Sequence, residues 1–202
     1  MRIIRMAMSS EPSVIWKRLF PLAAAVLLVV IAIKLTLGPP REGPPTAQQT
    51  AAARQAGTYT VVMETNKGKV TLVLDGKAAP MTTANFVNLV QRRFYDGLAF
   101  HRVEPGYLVQ GGDPNGDGSG GPGYRIRDEA SPLKHLRGAV AMAKTVAENS
   151  GGSQFYLCLL PIPQLDGKFT VFGKVSKGLD VVESLEPNDA IIKMRLGQDS
   201  KR

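Results

Sequence analysis

The chain has 202 residues, 44% of them hydrophobic, and a formal net charge of +8. This length suits one globular domain with a shorter additional segment. The positive charge is concentrated in residues 1–57, which hold seven Lys or Arg against two Asp or Glu, whereas residues 58–202 hold 18 against 15. Because the basic residues of the second region are scattered, the composition argues against a nucleic-acid partner.

The first predicted element is a transmembrane signal anchor over residues 19–37. Residues 19–33 read LFPLAAAVLLVVIAI, and a snorkelling Lys34 extends the apolar run to Leu37, about the length needed to cross a hydrocarbon core. Four Lys or Arg precede this run, which places residues 1–18 in the cytoplasm by the positive-inside tendency. A cleaved signal peptide is the alternative, but no small-x-small cleavage site follows closely. The sequence therefore predicts a single-pass protein of the cell membrane whose globular part is extracytoplasmic.

The next segment, residues 38–57, is predicted to be a flexible linker. It reads GPPREGPPTAQQTAAARQAG, which is rich in Pro, Ala, Gln and Gly and has almost no large apolar side chains. Such a composition is typical of a spacer that proline partly stiffens. The globular domain is then predicted over residues 58–202.

Short β-type runs dominate the chain from Thr58 onward. TYTVVMET and KVTLVL flank the hairpin signal Asn66-Lys67-Gly68, and PMTTANFVNLVQRRFY predicts an amphipathic helix capped by Thr82 or Thr83. Five further runs follow: LAFHRV, YLVQGG, GAVAMA, QFYLCL and FTVFGKV. A second short helix over residues 178–185 and a last strand, AIIKMRL, complete the pattern. Seven or eight strands with two helices predict a closed or nearly closed antiparallel barrel.

The glycine-rich segment GGDPNGDGSGGPG, residues 111–123, matches parts of two ligand-binding motifs. Its Asp113-x-Asn115-x-Asp117 pattern begins like a calcium-binding EF-hand loop, but Tyr124 stands where a bidentate Glu is required. The spacing of its glycines also fits a dinucleotide fingerprint, but Pro122 follows where a helix should begin. The segment is therefore interpreted as a surface loop whose glycines allow positive φ.

Other catalytic patterns are weak. Ser153 lacks the second glycine of a nucleophile elbow, and the two histidines, His101 and His135, have no metal-ligand spacing. Asp128 and Glu129 are adjacent, so on an extended chain they would point apart. Cys158, the only cysteine, lies in the apolar run FYLCLL and is interpreted as a core residue. The sequence thus predicts neither a metal nor a cofactor.

Arg102 stands out because it interrupts an apolar strand in FHRVEPGYLVQGGD, residues 100–113. If Pro105-Gly106-Tyr107 forms a three-residue hairpin loop, Arg102 falls opposite Gln110, whereas a two-residue loop would place it opposite Val109. The first arrangement makes a polar pair within an apolar surface.

Five motifs in order, FHRVEPGYLVQGGD, GSGGPGY, GAVAMA, SGGSQFYLCL and LDGKFTVFGKV, closely resemble the cyclophilin family of peptidyl-prolyl cis-trans isomerases, especially its bacterial members. The resemblance runs from about Tyr59 to Leu196. It implies a closed eight-stranded antiparallel barrel capped by two helices, an isomerase without a cofactor, and proline-containing polypeptides as substrates. With the predicted anchor, we expect a monomer that assists the folding of exported proteins.

The resemblance also implies site residues. Arg102 corresponds to the family's catalytic arginine and Gln110 to the glutamine that supports it. The implied substrate-binding residues are Tyr107, Leu108, Ala143, Lys144, Gln154, Tyr156, Gln164, Leu165 and Phe169.

Tyr107 and Leu108 stand at positions that are usually Phe and Met, Lys144 at a typical Asn, Gln164 at a frequent Trp and Phe169 at a frequent His. Lys144 and Gln164 leave a non-catalytic proline-peptide binding or chaperone module as the alternative function, whereas Phe169 keeps the apolar bulk of its position. Retention of Arg102 together with Gln110 favours the enzyme.

Overall fold

The computed structural model describes residues 43–197. The predicted cytoplasmic segment 1–18, the predicted anchor 19–37 and the start of the predicted linker lie outside the described residues. Within residues 43–197, no helix has the length and apolar character needed to span a bilayer.

Eight antiparallel strands form one curled sheet in the order β3-β4-β6-β5-β7-β2-β1-β8. The strand bounds are β1 Thr58–Thr65, β2 Gly68–Asp75, β3 Arg102–Glu104, β4 Leu108–Gly111, β5 Ala139–Met142, β6 Phe155–Cys158, β7 Val171–Lys177 and β8 Ile191–Leu196. The hairpin predicted at Asn66 is confirmed, with Thr65 paired to Gly68. The mainly β prediction is confirmed as well.

The prediction of a closed barrel is wrong, because the described strands include no pairing between the edge strands β3 and β8. The gap is crossed by the irregular segments just before these strands. Ala99 forms an isolated bridge with Ala190, and the Phe100 N–H donates to the Asp189 carbonyl at 2.9 Å. Asn188 has φ of 72°, which interrupts extended backbone immediately before β8. The sheet is therefore an open half-barrel.

Part of the predicted flexible linker is helical. Helix α1 spans Ala47–Ala56, and Thr46 begins it with a capping box in which its side chain and that of Gln49 each bind the other's backbone N–H. Ala53 is buried, and a Cβ added at Gly76 would lie 2.1 Å from the Ala53 carbonyl oxygen. The helix thus packs against the turn that follows β2, so these residues belong to the folded domain.

Helix α2 spans Pro80–Gln91 and does not begin where the sequence predicted. Neither Thr82 nor Thr83 caps it. Instead the carboxylate of Glu129 accepts the backbone N–H groups of Met81 at 2.9 Å and Thr82 at 2.6 Å. A carboxylate at this end also complements the helix dipole. The second predicted helix is present as α3, Leu179–Glu183.

Two apolar clusters lie on opposite faces of the sheet, because successive strand residues point to opposite sides. The inner core includes Val109, Phe155 and Leu157 and packs against α2 through Phe86. What we call the outer cluster consists of Leu108, Ala139, Ala141, Tyr156, Cys158, Ile162 and Val171. Cys158 is fully buried there, as predicted, and burial raises the pKa of its thiol to about 12.

Candidate active site

The hairpin of β3 and β4 fixes the position of Arg102. Its register pairs Arg102 with Gln110 and Glu104 with Leu108, so the predicted three-residue loop is confirmed. The loop closes through a 2.9 Å hydrogen bond from the Tyr107 N–H to the Glu104 carbonyl, and Gly106 supplies φ of 70°. Arg102 and Gln110 therefore share the outer face of the sheet.

Two glutamines form an amide network beside this pair. Nε2 of Gln154 lies 2.9 Å from the carbonyl oxygens of both Gly118 and Gly120, so this end of its amide must be the donor. Its Oε1 then accepts from Nε2 of Gln110 at 2.9 Å. The remaining Oε1 of Gln110 faces Arg102, 3.5 Å from Nη1. The network thus presents a hydrogen-bond acceptor to the guanidinium.

Glu104 makes the shorter contacts with Arg102. Its Oε1 accepts from Nε at 2.8 Å and from Nη2 at 2.5 Å. Glu104 was not among the site residues predicted from the sequence. The available signal was the two-residue spacing from Arg102, which places both side chains on one strand face.

The outer cluster supplies an apolar surface next to Arg102 and Gln110. Leu108 and Tyr156 belong to it, and Tyr156 meets Phe169 edge-on with ring centroids 6.0 Å apart. The predicted substrate-binding residues that pack against the outer cluster are Tyr107, Ala143, Leu165 and Phe169. Six of the nine predicted residues therefore meet at one surface.

The Tyr156 hydroxyl is hydrogen-bonded to the buried His135, which is in turn hydrogen-bonded to Asp166. Nδ1 of His135 lies 2.9 Å from Oδ1 of Asp166, and Nε2 lies 2.9 Å from the Tyr156 hydroxyl. Because the carboxylate can only accept, Nδ1 donates to Asp166, and the other ring nitrogen, Nε2, pairs with the Tyr156 hydroxyl. Hydrogen bonds from the backbone N–H and ring of His135 hold the pKa of Asp166 below its ordinary value, while burial raises the pKa of Tyr156. His135 is buried, and its two partners were not foreseen from the sequence.

A second, more polar recess of about 500 Å³ adjoins the apolar surface. Gln110, Ala143, Lys144 and Gln154 line it together with the glycine-rich segment. Lys144 Nζ lies 2.5 Å from Asp128 and 5.9 Å from the centre of the Phe169 ring. Gln164, in contrast, lies exposed on the short 3₁₀ turn Pro163–Leu165, so its side chain is not packed into the apolar surface.

The glycine-rich segment, residues 111–123, is held in shape by hydrogen bonds to one of its own side chains, Asp113. The buried Asp113 accepts backbone N–H groups from Asn115, Asp117 and Gly118, so both carboxylate oxygens bind the loop itself. This use of Asp113 disfavours the calcium alternative. Across residues 43–197, no group of three or more His, Cys, Asp or Glu side chains is placed to hold a metal ion.

Fold and site together define a class: a mainly β half-barrel that carries an arginine, paired with a glutamine, beside an apolar surface. The comparisons with known proteins identify the family. The family model described as "Cyclophilin type peptidyl-prolyl cis-trans isomerase/CLD" matches residues 60–196.

Two bacterial relatives are similar over nearly all of this domain. The peptidyl-prolyl cis-trans isomerase of Helicobacter pylori is 46% identical over 140 residues, which are 67% of this chain and 85% of that protein. The peptidyl-prolyl cis-trans isomerase of Synechococcus elongatus is 47% identical over 141 residues, 69% of this chain and 97% of that protein.

The crystal structure of a Cryptosporidium parvum cyclophilin-type peptidyl-prolyl cis-trans isomerase superposes with a TM-score of 0.66 at 30% identity, covering 70% of this chain and 98% of that one. A second structure of that protein, in the presence of the dipeptide Ala-Pro, gives 0.63 at 30% identity and covers 69% and 99%. The chain belongs to the cyclophilin-type peptidyl-prolyl cis-trans isomerase family, and rotation about the peptide bond before proline is its activity.

Proposed function

We propose that Arg102 is the catalytic residue and that the outer cluster with its neighbours binds the proline ring. The single observation that carries this proposal is the juxtaposition of Arg102, paired with Gln110, and the apolar surface around Leu108 and Tyr156. A ring buried on that surface would have its nitrogen within reach of the guanidinium.

The chemistry requires no covalent step. Rotation about a peptide bond is slow because amide resonance must be broken, with a barrier of about 18–20 kcal/mol. In the twisted transition state the prolyl nitrogen regains a lone pair, which can accept a hydrogen bond from Arg102. The planar ground state offers hardly any such acceptor, so the interaction stabilises the transition state selectively.

One hydrogen bond does not supply the whole acceleration. A rate enhancement of five decades requires about 7 kcal/mol, whereas a hydrogen bond to a charged group contributes about 1.5–3 kcal/mol. The remainder comes from holding the substrate in place. Tyr107, Leu108, Tyr156, Leu165 and Phe169 grip the ring, while Ala143, Lys144 and Gln154 bind the peptide beside it. Gln164 contacts the peptide at the exposed rim.

The test is Arg102→Ala in the full chain, assayed for isomerisation of an Ala-Pro peptide. We expect kcat/KM to fall about 100-fold or more, as when a transition-state hydrogen-bond donor is removed. Arg102 is about half exposed, so the variant should fold normally. Arg137→Ala, which removes an exposed arginine elsewhere on the domain, is the matched control. Equal rates with and without Arg102 would contradict this mechanism and leave the family assignment in place.

The cellular setting is a separate proposal, supported by residues 1–37 of the sequence. The apolar run 19–37 anchors the chain in the cell membrane, residues 1–18 stay in the cytoplasm, and the domain acts as a monomer on exported proteins outside it. N-terminal sequencing of the native protein from washed membranes tests this. A start near residue 39 or 54 would show cleavage and refute the anchor, and sedimentation of the detergent-solubilised chain checks the monomer.

A further inference from the structure

Glu104 is an acidic residue at the exposed edge of the proposed active site. It lies on β3, which forms one edge of the sheet, two residues after Arg102 and on the same face. The Arg102 and Glu104 side chains are 49% and 44% exposed. Across the hairpin Glu104 is paired with Leu108 of the outer cluster, so it lies beside the row in which Arg102 pairs with Gln110 and Gln110 with Tyr156.

The contacts divide the donors of Arg102 into two groups. A guanidinium carries five N–H donors in a rigid fork. Glu104 Oε1 accepts from Nε at 2.8 Å and from Nη2 at 2.5 Å, which occupies one edge of the fork. Gln110 accepts from Nη1 at the long distance of 3.5 Å. One donor on Nη1 and one on Nη2 therefore remain for a substrate.

The distances indicate which partner orients the fork. A half-exposed arginine has several rotatable bonds and samples many rotamers unless a partner restrains it. The two short contacts of Glu104 supply that restraint, whereas the 3.5 Å contact with Gln110 is too long to supply it alone. Catalysis by a hydrogen-bond donor depends on its orientation before the reaction begins.

We propose that Glu104 is a positioning residue that holds the Arg102 fork with its remaining donors directed toward the substrate. This inference rests on the proposed role of Arg102. The effect is on kcat, because the restrained donor acts in the transition state, and KM is unchanged. Because the ion pair is exposed, its contribution is moderate and is weakened by salt.

The experiment compares Glu104→Ala and Glu104→Gln in the full chain, using the Ala-Pro peptide at several concentrations. We expect Glu104→Ala to lower kcat about two- to fivefold with KM unchanged, a range that corresponds to an exposed ion pair. Glu104→Gln keeps an acceptor of the same shape and should restore part of the loss. Raising the salt concentration from about 0.05 M to about 1 M should lower kcat of the unmutated chain toward that of Glu104→Ala, and hardly affect the variant.

Two controls separate positioning from a general structural effect. Glu183→Gln breaks the exposed ion pair between Arg137 and Glu183 outside the site and should leave kcat unchanged. Glu104→Ala introduced into Arg102→Ala should cause no further loss, because Glu104 acts through the arginine. A kcat of Glu104→Ala equal to or above that of the unmutated chain overturns the inference, as does an equal loss in the Arg102→Ala background. Full activity of Arg102→Ala itself overturns the role of Arg102 and the inference with it, whereas failure of Glu104 alone leaves that role intact.

Discussion

Nε2 of Gln110 donates a 2.9 Å hydrogen bond to Oε1 of Gln154, and this contact determines which way the Gln110 amide faces. Gln154 is itself fixed by the carbonyls of Gly118 and Gly120. The orientation of the acceptor that Arg102 meets is therefore set in the glycine-rich segment, two side chains away.

The first prediction concerns Gln154→Ala. Without its partner the Gln110 amide can turn over and present its NH₂ group to the guanidinium, and the contact that we propose between Gln154 and the peptide is lost as well. We therefore expect kcat/KM to fall about three- to tenfold, as for the loss of one or two hydrogen bonds. The isomerisation assay measures this. Gln91→Ala, at the exposed end of α2, is the matched control, and equal activity of the two variants would show that the amide network does not orient Gln110.

The second prediction concerns Tyr156→Phe. The substitution keeps the ring in the outer cluster but leaves Nε2 of the buried His135 without its hydroxyl partner. We expect the free energy of unfolding to fall by about 1–3 kcal/mol, with isomerisation within about twofold of the unmutated rate. Urea unfolding checks stability, with Tyr59→Phe as the control outside the site. Unchanged stability would mean that the hydrogen bond between the Tyr156 hydroxyl and His135 does not contribute to folding.

The third prediction concerns acid stability through Asp166. His135 holds the pKa of this carboxyl below its ordinary value, so the carboxylate is favoured in the folded state. This contribution to the free energy of unfolding is fully present above the pKa of Asp166 in the unfolded chain, near pH 4. It is lost as the pH falls through the lower pKa of Asp166 in the folded state. Asp166→Asn should therefore be less stable than the unmutated chain at pH 7. Its free energy of unfolding should also decline less steeply than that of the unmutated chain between about pH 5 and 3. Urea midpoints measured across this range test it, and parallel curves for the two proteins would refute it.

The fourth prediction concerns the cap of α2. Glu129→Ala removes the acceptor for two backbone N–H groups at the start of the helix, so we expect a loss of about 1–2 kcal/mol in the free energy of unfolding. Thermal unfolding measures the change. Glu148→Ala, an exposed glutamate in the 144–150 loop, should be close to neutral, and equal effects of the two substitutions would contradict the capping role.

Strand positions and the Arg102–Gln110 pairing could be predicted because both follow from local patterns. Alternation and turn residues fix the bounds of β1 and β2, and the loop Pro105-Gly106-Tyr107 fixes the register of β3 with β4. The site residues were selected by resemblance to the family, and the structure brings six of the nine substrate-binding residues to one surface.

The features that were missed have two different physical origins. Glu129 caps a helix 48 residues away and Asp166 binds a histidine 31 residues away, and no local pattern encodes contacts at such separations. Helix α1 and Glu104, in contrast, carried local signals. Thr46 and Gln49 have the capping-box spacing, but the surrounding Pro- and Ala-rich composition favoured a linker.

Helix α1 also changes which residues can act as a spacer before the domain. Because α1 packs against Gly76, residues 47–56 form part of the folded body instead of a spacer. Residues 46–56 therefore cannot serve as a spacer, and a chain shortened to begin at Thr58 would lose a part of the folded body that covers Gly76.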